Sequence, residues 1–505
     1  MKSLFHILIS LTLAGSTSVA SAASEVQANS RSVIPRLISP MTLQRARTLA
    51  FSMGLALPSL PTPAALRPLS TVVPAQTAVA YAARPAALSP TRELSALESA
   101  KDPSTGAFQH FDGGKNFETS PAEVPVPAAP AVAADGISFH GVALPGRAFS
   151  QTDRIPDSLV AAIDATQSTL RLALYELSLP GVTDSIVKAK ARGVDVKLVF
   201  DQGHGAGAGA AQTGKPGAPS PQFQQLLDAG VETRLLKGGG GIGIMHNKFA
   251  VADGELVETG SFNWSTAADE KNFENALFRD DASLATLYTS FWDWMWGLAK
   301  PVGETAAPQD TGAAGSFGTP PSDPSPSLSY KGNAWPRASF SPQGGTEARL
   351  VDAIGRCERT LEIAIFSFYS SAVADAVAAA HARGVAVRVA ADASQALHSP
   401  QVASLVSQGV ELRLSSGRGG QGVLHHKFAI FDGEMLASGS FNFSQNAEKN
   451  NFENQLYSTN PADLSAYRTE FESVWAQAHV PASSEVQGQQ TGPAAVLLVE
   501  NPSVF

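Results

Sequence analysis

The stretch His246–Arg279, HNKFAVADGELVETGSFNWSTAADEKNFENALFR, recurs at His425–Ser458 as HHKFAIFDGEMLASGSFNFSQNAEKNNFENQLYS. The offset is 179 residues without a gap, and 18 of the 34 paired positions are identical. Upstream the correspondence continues at an offset of 191. Arg171–Leu177 (RLALYEL) faces Glu362–Phe368 (EIAIFSF), Ala191-Arg192-Gly193 faces Ala382-Arg383-Gly384, and Phe149 faces Phe340. The change of offset, 12 residues, falls on the Gly/Ala-rich run HGAGAGAAQTGKPGAPSP of the first copy. That run reads as a surface loop inserted into one repeat. The chain therefore carries two copies of one fold.

Each copy gives the same element pattern. A helical periodicity (Asp157–Gln167; Glu347–Arg359) leads to an apolar strand (Leu170–Leu174; Leu361–Ile365). A second helix stops at Arg192-Gly193 or Arg383-Gly384, and a strand follows (Val194–Phe200; Val385–Ala390). A further strand is expected at Glu232–Leu236 and Glu411–Leu414. Strands alternating with helices predict the α/β class, two homologous domains each with a mixed sheet flanked by helices and packed with pseudo-two-fold symmetry. Tyr288, Trp292 and Trp296, matched by Tyr467, Phe471 and Trp475, form the core stripe of a terminal helix, with Trp294 off that stripe and available to solvent or lipid.

Outside the copies the composition changes. Residues 1–22 carry Lys2, an apolar run from Leu4 to Leu13 and a small-residue ending at Ala20-Ser21-Ala22, the three-part pattern of a secretory signal with cleavage after Ala22. The apolar run is about half of the roughly 20 residues that span a bilayer. A secreted or periplasmic protein is the expectation. Residues 23–140 form an Ala/Pro-rich low-complexity spacer, 299–333 a Pro/Ser/Gly-rich linker and 481–505 a flexible tail. The copies themselves occupy 141–298 and 334–480. One cysteine, Cys357, rules out a disulfide scaffold and a Cys-rich zinc site, and its helical context reads as a buried small hydrophobe.

The chemistry-bearing residues lie in the repeated word. Period two along a strand places His246 and Lys248 on one face, and His425 and Lys427 likewise. Asp253-Gly254 and Asp432-Gly433 turn each chain back. The return strand ends by presenting Ser261 and Asn263, or Ser440 and Asn442, and a helix later the word NFEN brings Glu274 and Glu453. The Gly-rich loops KGGGGIGI and SSGRGGQG lead into the motif without a following helix, so they read as strand-entry turns rather than phosphate cradles.

The doubled His-x-Lys, Asp and Gly-Ser-x-Asn pattern resembles the phospholipase D superfamily and its duplicated HKD motif. The NFEN tail, with Glu 28 residues after the His, is similar to the branch of secreted endonucleases and cardiolipin hydrolases. The resemblance implies that His246, Lys248, Asp253, His425, Lys427 and Asp432 form one catalytic site, with His246 the attacking residue. Attack on an anionic phosphodiester needs cations and donors around the non-bridging oxygens, and Lys248, Lys427, Asn263 and Asn442 supply them, with Ser261 and Ser440 in support. One imidazole attacks to give a phosphohistidine, while the other protonates the leaving alkoxide and later activates water. By the same resemblance Glu274 and Glu453 take the far nitrogens. No metal or other cofactor enters this scheme. The Asp-Gly dipeptides carry a competing reading, in which Asp253 and Asp432 are turn formers.

The implied substrate is a phospholipid at a membrane surface, cleaved at its head-group ester. A non-specific nuclease of the same mechanism, a cardiolipin synthase-like phosphatidyltransferase and an inactive binding module are the alternatives. The chain has a formal charge of −9, and the two copies together hold 22 basic against 32 acidic residues over 149–298 and 340–478. A broad cationic surface for nucleic acid is therefore absent. Neither motif is eroded, which opposes the inactive reading. Both motifs in one chain imply a monomer.

Overall fold

The computed structural model describes residues 136–205, 220–304 and 317–486. The expected signal at residues 1–22, nearly all of the spacer, the core of the Gly/Ala insertion, part of the linker and most of the tail lie outside the described residues.

The first copy opens with a hairpin, β1 (Gly136–Phe139) and β2 (Val142–Pro145), then β3 (Arg147–Phe149), α1 (Ile155–Ala165) and β4 (Thr169–Leu174). There follow α2 (Pro180–Ala191), β5 (Asp195–Asp201), a short α3 (Gln202–Gly205), α4 (Pro221–Asp228) and β6 (Glu232–Leu236). The motif supplies β7 (Lys248–Ala252), β8 (Leu256–Gly260), α5 (Thr266–Glu270) and β9 (Asn275–Asp280), and α6 (Ala282–Leu298) and β10 (Lys300–Pro301) close the copy. The second copy repeats the order: β11 (Leu328–Tyr330), β12 (Asn333–Trp335), β13 (Ala338–Ser341), α7 (Thr346–Gly355), β14 (Thr360–Ile365), α8 (Ser371–Ala382) and β15 (Ala386–Asp392). It ends with α9 (Ala393–Ala396), α10 (Pro400–Ser407), β16 (Glu411–Ser415), β17 (Lys427–Phe431), β18 (Met435–Gly439), α11 (Gln445–Lys449), β19 (Glu453–Ser458) and α12 (Pro461–Gln477). The opening hairpins extend both copies upstream of the 141 and 334 boundaries, and β10 draws Lys300 and Pro301 out of the linker onto β6.

Local chemistry explains the boundaries. Proline occupies the first turn of α1, α2, α4, α10 and α12, where its missing N–H costs nothing. α2 stops because Gly193 takes a φ of 93°, letting the Gly193 and Val194 amides return to the carbonyls of Lys190 and Ala189. Asp253 and Gly254 both have positive φ, and the Glu255 amide donates to the Ala252 carbonyl, a type I′ turn that sets the β7–β8 register.

Both sheets are mixed. The first runs β10-β6-β5-β4-β7-β8-β9-β3 and the second β13-β19-β18-β17-β14-β15-β16. β4, β5 and β6 are parallel, as are β14, β15 and β16, and the other pairs are antiparallel. Each sheet packs one face on its own α1, α2 and α4, or α7, α8 and α10, around a private core. The opposite faces share a third core, in which Tyr288 and Phe291 of the first copy meet Phe340 of the second, and Phe149 of the first meets Tyr467 of the second. Helices α6 and α12 lie in this shared layer. Trp294 is partly buried against this layer, beside Phe291 and Phe452. Cys357 is buried as read.

Candidate active site

The site forms where the parallel strands end at their carboxyl edges. β5 delivers Asp201 and β15 delivers Asp392, both buried. Asp201 accepts from the Met245 amide at 3.1 Å and Asp392 from the Leu424 amide at 2.9 Å, which pins the residue before each motif histidine. His246 and His425 stand just ahead of β7 and β17 rather than inside them. Their backbone amides donate across the pseudo-two-fold axis, to the Phe452 carbonyl at 2.9 Å and the Phe273 carbonyl at 3.0 Å.

The Gly-rich loops serve the same crossing. The Gly239 amide donates to the Asn450 carbonyl, and the Arg418 amide to the Lys271 carbonyl. A Cβ on Gly238 would come within 2.4 Å of the Asn450 oxygen, and one on Gly417 within 2.4 Å of the Lys271 oxygen. Glycine is required because the other copy's backbone occupies the space. These loops are strand entries, as read, and also the seat of one copy on the other.

The carboxylates cross as well. Nδ1 of His246 lies 2.9 Å from Glu453, and Nδ1 of His425 lies 2.8 Å from Glu274. Each glutamate is oriented by the asparagine two residues before it: Asn451 donates to Glu453 at 3.0 Å and Asn272 to Glu274 at 3.2 Å. Those asparagines also accept from the Ile244 and Val423 amides of the opposite copy. Lys248 and Lys427 each donate to the carbonyl of their own motif histidine at 2.6 Å. Nε2 of both histidines and Oδ1 of Asn263 and Asn442 are buried with no partner among the described residues. A buried polar atom left open at a cost of about 1–3 kcal/mol marks a place where a ligand completes the bonding.

Electrostatics set the protonation states. Burial, then Lys248 and Lys427, holds the His246 imidazole well below its ordinary range, and burial with Lys427 and Lys248 does the same to His425. Burial brings Lys248 down to about 7, opposed by Glu453 and Glu274, and moves Lys427 in the same direction. It lifts the carboxyls of Glu274 and Glu453 to about 7, against the pull of the lysines. The crossed His–Glu pairs bring both motifs to one site.

The family described as "Cardiolipin synthase, PLD-like domain" matches residues 159–296 and 350–475, just over half of the chain. This chain belongs to the phospholipase D superfamily. It is 38% identical over 137 residues to a mitochondrial cardiolipin hydrolase of Xenopus tropicalis, covering 27% of this chain and 63% of that protein. A phospholipase D of Rickettsia bellii (strain RML369-C) is 32% identical over 130 residues, covering 26% of this chain and 58% of that protein. The chain thus spans about 60% of the length of these relatives. Among solved structures, phosphatidylserine synthase of Haemophilus influenzae Rd KW20 covers 70% of this chain and 91% of its own at a TM-score of 0.52 and 15% identity, a likeness of fold.

Of the superfamily residues expected here, His246, Lys248, His425, Lys427, Asn263, Asn442, Glu274 and Glu453 come together. Asp253 and Asp432 do not. Each lies beyond the far end of its strand, seven residues from the histidine and so about 23 Å along an extended chain at 3.3 Å per residue. Asp253 accepts from the amides of Gln167, Ser168 and Thr169, and Asp432 from those of Glu358, Arg359 and Thr360 and from Lys331. They are turn residues that clamp the entry to β4 and β14, so their catalytic assignment is corrected. Ser261 and Ser440 also turn inward, accepting from the Asn275 and Asn454 amides at 3.0 Å. They also hydrogen-bond the Glu274 and Glu453 carboxyls, and so support the two dyads. Asp201, Asp392, Asn272 and Asn451 were not singled out from sequence. All four sit at equivalent places in the two copies, which is the signal that could have found them.

Proposed function

We propose that this protein is a secreted phospholipase D that hydrolyses the head-group phosphodiester of phospholipids through a covalent phosphohistidine, in lipid catabolism. The observation that carries the phosphodiesterase chemistry is the pair of crossed His–Glu dyads, each with an open Nε2, set beside two buried lysines. The lysines and the Asn263 and Asn442 amides receive the phosphate oxygens, and the anion in turn restores the charge that burial weakens on Lys248 and Lys427.

One neutral imidazole attacks phosphorus through Nε2, forming a P–N bond as the P–O bond to the head-group alcohol breaks. The other dyad gives a proton to the leaving alkoxide. Its imidazole is held neutral, but its carboxyl near 7 can hold a proton at neutral pH. The dyad therefore passes a proton from Nε2 while Nδ1 regains one from the glutamate. Water then loses a proton to the same Nε2 and attacks phosphorus, and the P–N bond breaks to release phosphatidic acid.

The acidic balance of both copies supports lipid over nucleic acid, because 22 basic residues against 32 acidic leave no surplus for counterion release. The leader pattern at residues 1–22 supports export. The test is a paired assay on purified protein in EDTA. Phosphatidylcholine or phosphatidylethanolamine with added ethanol should give phosphatidylethanol, while plasmid DNA stays intact. Cutting of DNA with lipid untouched would reverse the reading in favour of a nuclease.

A further inference from the structure

The two copies differ most tellingly at the rim of the shared site. Tyr175, at the end of β4, lies with its ring 4.9 Å from the His246 ring and 4.9 Å from the Lys248 ammonium. Its counterpart Phe366 stands the same way, 4.9 Å from His425 and 5.0 Å from Lys427. The next residue is Glu176 in the first copy and Ser367 in the second. Parallel bridges Leu177 to Trp264 and Phe368 to Phe443 set Glu176 alongside Asn263, and Ser367 alongside Asn442. His204 of α3 packs its ring 4.3 Å from Tyr175 and lies 3.3 Å from Asp201, where the second copy has Gln395.

One rim is thus a tyrosine, a carboxylate and a histidine, and the other a phenylalanine, a hydroxyl and an amide. Glu176 is half-buried and forms no ion pair among the described residues, although its charge supports that of Lys248. A carboxylate beside a phosphate site repels the substrate anion unless the substrate itself carries a positive charge there. In the second copy the equivalent Ser367 Oγ is neutral, buried and without a described partner.

We infer that Glu176 is the specificity-determining residue for the leaving alcohol and selects an amine-bearing head-group such as ethanolamine or choline. A cationic head-group is attracted to that carboxylate, whereas an uncharged glycerol head-group is not. A second phosphate, as in cardiolipin or a nucleic-acid backbone, is repelled. The inference rests on the phospholipase reading and narrows its substrate class.

The test uses the purified chain with vesicles of phosphatidylethanolamine, of phosphatidylcholine and of phosphatidylglycerol in a common neutral carrier, and with the soluble diester bis(p-nitrophenyl) phosphate. Wild type should favour the two amine-bearing lipids over phosphatidylglycerol. Glu176→Ser, which copies the second half of the molecule, should lower that ratio by roughly tenfold, with Glu176→Gln giving the same direction should the serine variant fold poorly. Absence of a wild-type preference would overturn the inference. So would a variant that slows all three lipids and the soluble diester equally, since Glu176 would then serve only the charge on Lys248. Turnover of the soluble diester with no lipid hydrolysed would sink the phospholipase reading itself, and this inference with it.

Discussion

At the scale of single residues, the crossed dyads make each histidine depend on the opposite copy. His246→Ala and His425→Ala should each cost at least about 10³-fold in turnover, because an attacking group and its proton partner act as a unit. Single-turnover assays on the purified variants check this, and substantial activity in either would break the one-site scheme. The pH profile follows from the shifted groups. As pH rises through about 7 the free enzyme loses the Lys248 ammonium, so phosphate affinity and kcat/KM fall on the alkaline side. As pH falls through about 7 both Glu274 and Glu453 gain protons, so the attacking imidazole loses the carboxylate that stabilises the positive charge it gains on attack. A narrow bell of kcat/KM centred near neutrality is expected. Its alkaline limb should move to higher pH in the kcat profile, since bound phosphate favours the charged lysine.

At the scale of elements, the turns and loops do separate work. Asp253 closes the β7–β8 turn and accepts three amides at the start of β4. Asp253→Ala leaves those amides unpaired and should lower stability by about 2–3 kcal/mol, read as a lower midpoint in urea, with the folded enzyme still turning over. A large loss of kcat at unchanged stability would restore Asp253 to the catalytic set. Gly238→Ala acts the other way. Its Cβ would strike the Asn450 backbone, so the loop must lift from the second copy and carry His246 with it. Reduced turnover together with a lower melting temperature is the expected result, and a neutral substitution would show that the loop has room to shift.

At the scale of the whole molecule, the two copies are held by a shared apolar layer and by the backbone and carboxylate crossings at the site. Phe291 stacks on Phe340 at 4.1 Å, and Arg147 and Arg279 of the first copy both pair with the buried Asp463 of the second. A protease site introduced in the linker near residue 310 should therefore give a nicked protein that elutes as one species and stays active. Separation of the halves on a sizing column under native conditions would contradict this account of what joins them.

Two copies, their α/β class and most of their strand and helix positions were readable because periodicity, helix stops at Gly193 and Gly384, and turn chemistry at Asp253-Gly254 are local properties of the chain. The repeated His, Lys, Asn and Glu were readable because the same spacing occurs twice. What the chain alone left open was the crossing. Glu453 is 207 residues from His246, and nothing local says that NFEN of one copy serves the histidine of the other. Nor could local pattern separate His204 from other loop histidines, or show Trp294 packed against the shared layer. Those assignments depend on which faces two sheets bury against each other, and only the packed molecule fixes that. Each copy supplies the carboxylate that partners the other copy's histidine, so neither half holds a complete dyad alone.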